Sequence, residues 1–414
     1  MQFKKILGPG ILFAATAIGV SHLVQSTKAG ALFGFSLIGF VALANLLKYP
    51  FFEYGSRYAA ATGQSLIKGY YDLNKWWLYA YLFISIFSML FVTAAVGAVT
   101  IGFMENLFSL SQLTGIQNIT HYLLFAGCAA LLIFGQFNVM ERLIKILGLV
   151  LLVTTIFAFI VALVKGPAVP QVDFFPILNR DGWAFLLPLM GWMPTAIDLS
   201  AWNSLWTVEK MKETGYKPSV KEVVLEFGIG YWIAAILAFV FLALGAYLVY
   251  GTAITVPTSG AAFSSFVISL YTHSIGEWSR YIIAIAAFSI MFSTFITVID
   301  GFSRALDLSI ELAIGKERKR KVFPGLSKWM PAIVAIGGLL LILSFQGDKA
   351  SFSLIVNAAT TISFVIAPLF AVLNYRLVMP DKIGRENSPG TFLKVISWFG
   401  IVYLSGFLIW FWLY

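Results

Sequence analysis

The sequence predicts an all-α polytopic membrane protein of about eleven spans, built as a five-plus-five inverted repeat whose first and sixth helices are broken. Three observations carry that prediction: apolar runs that recur from end to end, a lopsided distribution of lysine and arginine, and matched interruptions in the first and sixth runs. The 414 residues are 59% hydrophobic and 11% charged, against roughly 25% charged in ordinary soluble domains. In hydrocarbon a chain satisfies its backbone only as helices or as a closed barrel, and a helix needs about 20 apolar residues to cross. The runs here are continuous rather than alternating, which selects helices. The 35 glycines and 14 prolines suit spans that approach closely or break.

The spans fall at about 8–35, 37–58, 77–104, 121–138, 143–164, 183–207, 223–250, 279–301, 327–346, 352–375 and 393–414. Residues 1–414 are read as one transmembrane domain, with a first repeat at about 8–164, a second at about 183–375 and an extra helix at about 393–414. With a cytoplasmic N-terminus, 22 of the 28 Lys and Arg lie on one side and four, Lys165, Arg180, Arg280 and Lys349, on the other. That bias predicts cytoplasmic positive loops and an external C-terminus at Tyr414, in what reads as a bacterial inner membrane. It also accounts for the net charge of +9 without a nucleic-acid partner, and makes the basic run Glu317–Lys321 a topology anchor. Cys128 is the single cysteine, so neither an internal disulfide nor a cysteine metal cluster is available.

In the first span Gly8-Pro9-Gly10 opens the helix, and Gly19-Val20-Ser21-His22 places a glycine, a hydroxyl and an imidazole midway. In the sixth, Gly191-Trp192-Met193-Pro194-Thr195 places a proline near the centre, which removes a backbone donor and frees the carbonyl of Met190. Irregular backbone at that depth is tolerated only where it is buried or lines a cavity. The two spans open successive groups of five and run in opposite directions, as in an inverted repeat that holds its substrate between two discontinuous helices. The reading is therefore a secondary transporter. His-Glu-x-x-His, Gly-x-Ser-x-Gly and a Walker lysine loop are absent, so neither an enzyme nor a nucleotide-driven pump is expected, and no cofactor.

Leu7-Gly8-Pro9-Gly10, Ala29-Gly30-Ala31, Phe33-Gly34-Phe35-Ser36-Leu37 and Ala44-Asn45-Leu46-Leu47 resemble the first two helices of the natural resistance-associated macrophage protein (NRAMP) family. Met193-Pro194 is similar to that family's Met-Pro-His motif, and Pro368-Leu369 fits its tenth helix. The resemblance implies a leucine-transporter-like fold and a divalent metal substrate. Where the family carries Asp-Pro-Gly-Asn, this chain reads Gly19-Val20-Ser21-His22, so a glycine stands for the metal-binding carboxylate and a histidine for the asparagine. Thr195 stands for the histidine of the second motif, and the acidic residues of the family's third helix have no counterpart between Trp77 and Met104.

The candidate substrate site thus comprises Gly19, Ser21, His22, Met190, Met193, Thr195 and Asp198, with Gly191 and Pro194 as the helix breakers. His22 and Met193 are the candidate metal ligands, a soft set that favours Mn²⁺, Fe²⁺ or Zn²⁺ over oxygen-seeking Mg²⁺ or Ca²⁺. The carbonyls of Gly19 and Met190 would complete the shell, and Asp198 is the nearest carboxylate to replace the missing one. Lys28, Lys48, Glu53, Asp198 and Asp300 are charges inside spans, which are functional candidates by default. Lys28 is expected to pair with Asp198, and Lys48 with Glu53 near the cytoplasmic end. The leading function is transport of a divalent metal of the Mn/Fe class by alternating access. The alternatives are the same fold carrying a small organic solute or hydrated ion, or a non-transporting membrane sensor.

Overall fold

The computed structural model describes residues 6–135, 137–169, 180–257, 259–345 and 351–413. Lys4, Lys5, Lys349 and Tyr414 lie outside them. Among the described residues the regular structure is entirely helical.

The first span is α1a (Pro9–Ala17), a π-helical turn (Ser21–Ser26) and α1b (Thr27–Phe33). Then follow α2 (Ile38–Thr62), α3 (Lys75–Phe108), α4 (Ile119–Phe134), α5 (Phe137–Lys165), and the sixth span as α6a (Arg180–Gly191) and α6b (Leu199–Thr214). The remainder is α7 (Val220–Leu248), α8 (Arg280–Ile314), α9 (Leu326–Ser344), α10 (Ser351–Leu377) and α11 (Thr391–Leu413). Each predicted span has its helix. Eight helices among the described residues are long and apolar enough to cross a bilayer by length and composition. The three spans outside that set are α2 with its three charges, the 16-residue α4, and the divided α6.

Helices also occur in segments that the sequence predicts as connections, two of them being Leu66–Leu73 and Gly260–Ile275. Leu66–Leu73 is capped by Ser65, whose hydroxyl accepts from the Lys68 amide. Gly260–Ile275 lies between α7 and α8 and packs on α3, where the Ser264 hydroxyl donates to the Gly102 carbonyl at 2.7 Å. Both are too short or too polar to register as spans, and tertiary contact holds them in place.

The first span docks along α7 with backbone against backbone. A Cβ on Gly30 would lie 1.8 Å from the Leu242 carbonyl oxygen, and one on Gly230 would lie 2.1 Å from the Gly10 oxygen. Such close approach through small residues is the usual adhesive of helices in lipid, where apolar burial by itself drives little association. It sets both halves of the first span against one continuous helix, with the break between them.

Candidate transport site at the helix breaks

The site is built first by the start of α1a. Gly8, the N-cap, has no capping side chain, and Pro9 at the first turn has no N–H. The orphan amides are met from another helix: Glu226 of α7 accepts from Gly8 N at 3.0 Å and from Gly10 N at 2.9 Å through both oxygens. A carboxylate at a helix N-terminus gains from the helix dipole as well as the hydrogen bonds.

The helix α1a stops at Ala17, and Ile18 and Gly19 bend before the chain resumes as a π-helix. A Cβ on Gly19 would lie 2.8 Å from the Thr294 side chain of α8, so the residue is needed for close approach. The carbonyls released by the bend are met by hydroxyls, Thr294 donating to Ala15 O at 2.9 Å and Ser21 to Ala17 O at 2.5 Å. Gly19 O accepts from the amides of His22 at 3.1 Å and Leu23 at 2.9 Å. The break is thus narrower than the 19–22 stretch expected from the sequence.

In the sixth span helix ends at Gly191 and resumes at Leu199, leaving residues 192–198 non-helical. Pro194 has no N–H to return to Met190, four residues earlier. Into this break runs the side chain of Lys48 from α2. Its ammonium lies 2.9 Å from the carbonyl oxygen of Met190, 3.0 Å from that of Gly191, 3.0 Å from that of Met193 and 2.9 Å from that of Thr195. Lys48 is 1% exposed.

The expected Lys48–Glu53 pair therefore does not form. Glu53 pairs with Arg57, accepting from Nε at 3.0 and 3.1 Å and from Nη2. Positions five apart on a helix are turned roughly 140° from each other, whereas positions four apart share a face. Nor does Lys28 meet Asp198: its ammonium lies over the rings of Phe263 and Phe352, 5.2 and 5.6 Å from their centroids. Both rings come from elements outside the break, which sequence spacing does not reveal.

The two breaks both line a small cavity of about 20 Å³. Thr16, Val20 and Ser21 line it from the first span and Trp192, Thr195 and Ala196 from the sixth, with Thr294 from α8. That volume suffices for one water-sized group. His22 is fully buried, with Nε2 2.8 Å from the Ala234 carbonyl and Nδ1 2.7 Å from the Ser21 hydroxyl. A carbonyl only accepts, so Nε2 carries the proton, and the Ser21 hydroxyl has one proton to offer between Ala17 O and Nδ1. Both nitrogens are engaged by protein in this conformation. Met193 is fully buried, and the Ser26 hydroxyl lies 4.0 Å from its sulfur across the two breaks. Asp198 is 4% exposed, its Oδ1 has no hydrogen-bond partner, and it is near enough to Lys48 to attract it.

The fold therefore gathers Met190, Gly191, Met193 and Thr195 around Lys48 with Asp198 nearby, sets Ser21 and Thr195 on one small cavity, and packs Gly19 against Thr294. It leaves Lys28 and Glu53 with other partners. Asp300 is also elsewhere, accepting from Arg304 Nε at 2.8 Å and Trp206 Nε1 at 3.1 Å. Among the described residues no cluster of three or more His, Cys, Asp and Glu is placed to hold a metal ion. Sequence reasoning missed Thr16 and Thr294 as lining hydroxyls and Glu226 as a cap. A signal for Thr294 was present, because Ser289, Ser293, Thr294 and Thr297 put four hydroxyls close together in the eighth span.

Two discontinuous helices that meet at a small cavity in an all-helical membrane chain define a transporter of the leucine-transporter-like class. Solved structures agree on that fold. A manganese transporter of Eremococcus coleocola superposes with a TM-score of 0.72 at 15% identity, over 98% of this chain and 85% of that one. MhsT in complex with L-phenylalanine gives 0.61 at 13% identity, over 97% of both chains. Mhp1, a nucleobase-cation-symport-1 family transporter, gives 0.56 at 12% identity over 91% of this chain and 79% of that one. The sequence profile of the natural resistance-associated macrophage protein-like family matches residues 10–413, and the chain belongs to that family. An uncharacterized protein of Pasteurella multocida (strain Pm70) is 35% identical over 408 residues, covering 97% of this chain and 90% of that protein. The protein is thus an integral membrane transporter of a metal-ion transporter family, not an enzyme.

Proposed function

We propose that the chain carries a divalent metal of the Mn/Fe class across the membrane by alternating access around the two breaks. The observation that carries this reading is the cavity of about 20 Å³ between the breaks, which has room for a single ion and no organic solute. In the same break of the sixth span, the buried Met193 sulfur and the unpartnered Oδ1 of Asp198 offer a soft ligand and a negative charge. In this role the whole of residues 1–414 acts as one domain, with repeats at about 8–164 and 183–375 and an extra helix at 393–414. The lysine and arginine bias supports a cytoplasmic N-terminus, an external C-terminus and a bacterial inner membrane.

A second reading keeps the fold and changes the cargo to a small organic solute or hydrated ion. Lys48 favours it, because an ammonium already sits on the carbonyls nearest the break and Gly19 supplies no carboxylate. Uptake into proteoliposomes discriminates the two. On the metal reading Mn²⁺ enters, Mg²⁺ competes weakly, and Asp198→Asn abolishes the flux. Amino acid or other organic flux with no Mn²⁺ entry would replace it with the second reading.

A further inference from the structure

We infer that the break in the sixth span is a binding cage for a monovalent cation of ammonium or potassium size, occupied in cis by the Lys48 ammonium. The cage is a site in its own right, and the inference does not depend on what the protein transports.

Four carbonyl oxygens surround Lys48 Nζ, all between 2.9 and 3.0 Å away. An ammonium on a side chain has three N–H donors. Four equal contacts therefore exceed its hydrogen bonds, and at least one carbonyl is held by charge alone. That is how carbonyls coordinate a near-spherical ion, as in the backbone rings that replace the hydration shell of potassium. The spacing is wide for a small dication, since oxygen ligands stand at about 2.0–2.1 Å from Mg²⁺ and about 2.3–2.6 Å from Ca²⁺.

The carbonyls are free because of the local sequence. Helix α6a ends at Gly191, so its last carbonyls lack intrahelical donors. The amide that would have returned to Met190 belongs to Pro194 and does not exist; the Met193 amide reaches Met190 O only at 3.4 Å. Behind the cage the backbone is braced by α10. A Cβ on Gly191 would lie 2.0 Å from the Thr360 carbonyl oxygen, and the Trp192 indole donates to Ser363 at 2.8 Å. Asp198 adds a nearby negative charge. None of these supports depends on Lys48, so the cage outlasts removal of its occupant.

The test uses two variants of the full chain in detergent or nanodiscs. Lys48→Met keeps the length of the stem but has no atom at the Nζ position, so it leaves space for K⁺, Rb⁺ or NH₄⁺. Lys48→Ala empties the stem channel as well and also admits n-propylammonium. Each variant is melted in KCl, RbCl, NH₄Cl or n-propylammonium chloride against choline chloride at equal ionic strength, and ⁸⁶Rb⁺ binding is counted. The fitting cations are expected to raise the melting temperature of each variant by about 2–4 °C over choline, with one Rb⁺ bound per variant chain and none per wild-type chain. The wild type should not distinguish the salts. Either variant suffices if the other does not fold. Variants that melt alike in all salts, or a wild type that gains as much from K⁺ as they do, would overturn the cage.

Discussion

Replacing Glu226 by Gln tests whether the start of α1a is a latch. The carboxylate accepts from Gly8 N at 3.0 Å and from Gly10 N at 2.9 Å to each oxygen, and Glu226 is 3% exposed. Hydrogen bonds to a charged group contribute about 1.5–3 kcal/mol each. Gln retains one acceptor oxygen and turns an NH₂ group toward backbone donors, so about one charge-assisted bond is lost, roughly 2 kcal/mol. At about 1.4 kcal/mol per tenfold change, the undocked form of α1a should gain roughly 30-fold in population. A cysteine at Ala17 reports on this, since Ala17 is 1% exposed while α1a is docked. The native Cys128 is fully buried and gives little background. When opening is fast compared with modification, the maleimide rate follows the open population, so it should rise by about the same 30-fold. An unchanged rate in both Glu226→Gln and Glu226→Ala would refute the latch and leave Glu226 as a structural cap.

Three further outcomes are expected. Gly30→Ala puts a Cβ 1.8 Å from the Leu242 carbonyl oxygen and should cost about 1–3 kcal/mol by forcing α1b from α7, whereas Gly39→Ala meets nothing within 4 Å and should be silent in the same thermal melt. His22→Ala removes the bonds to Ser21 and Ala234 and should lower stability by about 1–3 kcal/mol; an accompanying loss of substrate affinity beyond about tenfold would instead make the ring a ligand. A cysteine at Lys316, in the basic stretch after α8, should stay unlabelled by an impermeant reagent added outside intact cells, and labelling there would invert the topology.

What the sequence determined by itself was whatever is written locally or in composition. Continuous apolar runs specify spanning helices because nothing else satisfies a backbone in lipid. Pro194 and Gly19 mark the breaks because one lacks a donor and the other lacks a Cβ, properties that no distant residue alters. The matching family motifs then carried the fold. What only the tertiary structure decided was who meets whom. Lys48 and Glu53 are neighbours along the chain, yet one reaches 142 residues away to Met190 and the other turns to Arg57. Glu226 caps a helix 216 residues before it at Gly10, and Lys28 rests on Phe263 and Phe352 rather than on Asp198. A buried charge takes whichever partners the packing of helices delivers to it, and that packing is set by backbone approaches such as Gly30 on Leu242, to which both helices contribute and which neither sequence segment contains alone.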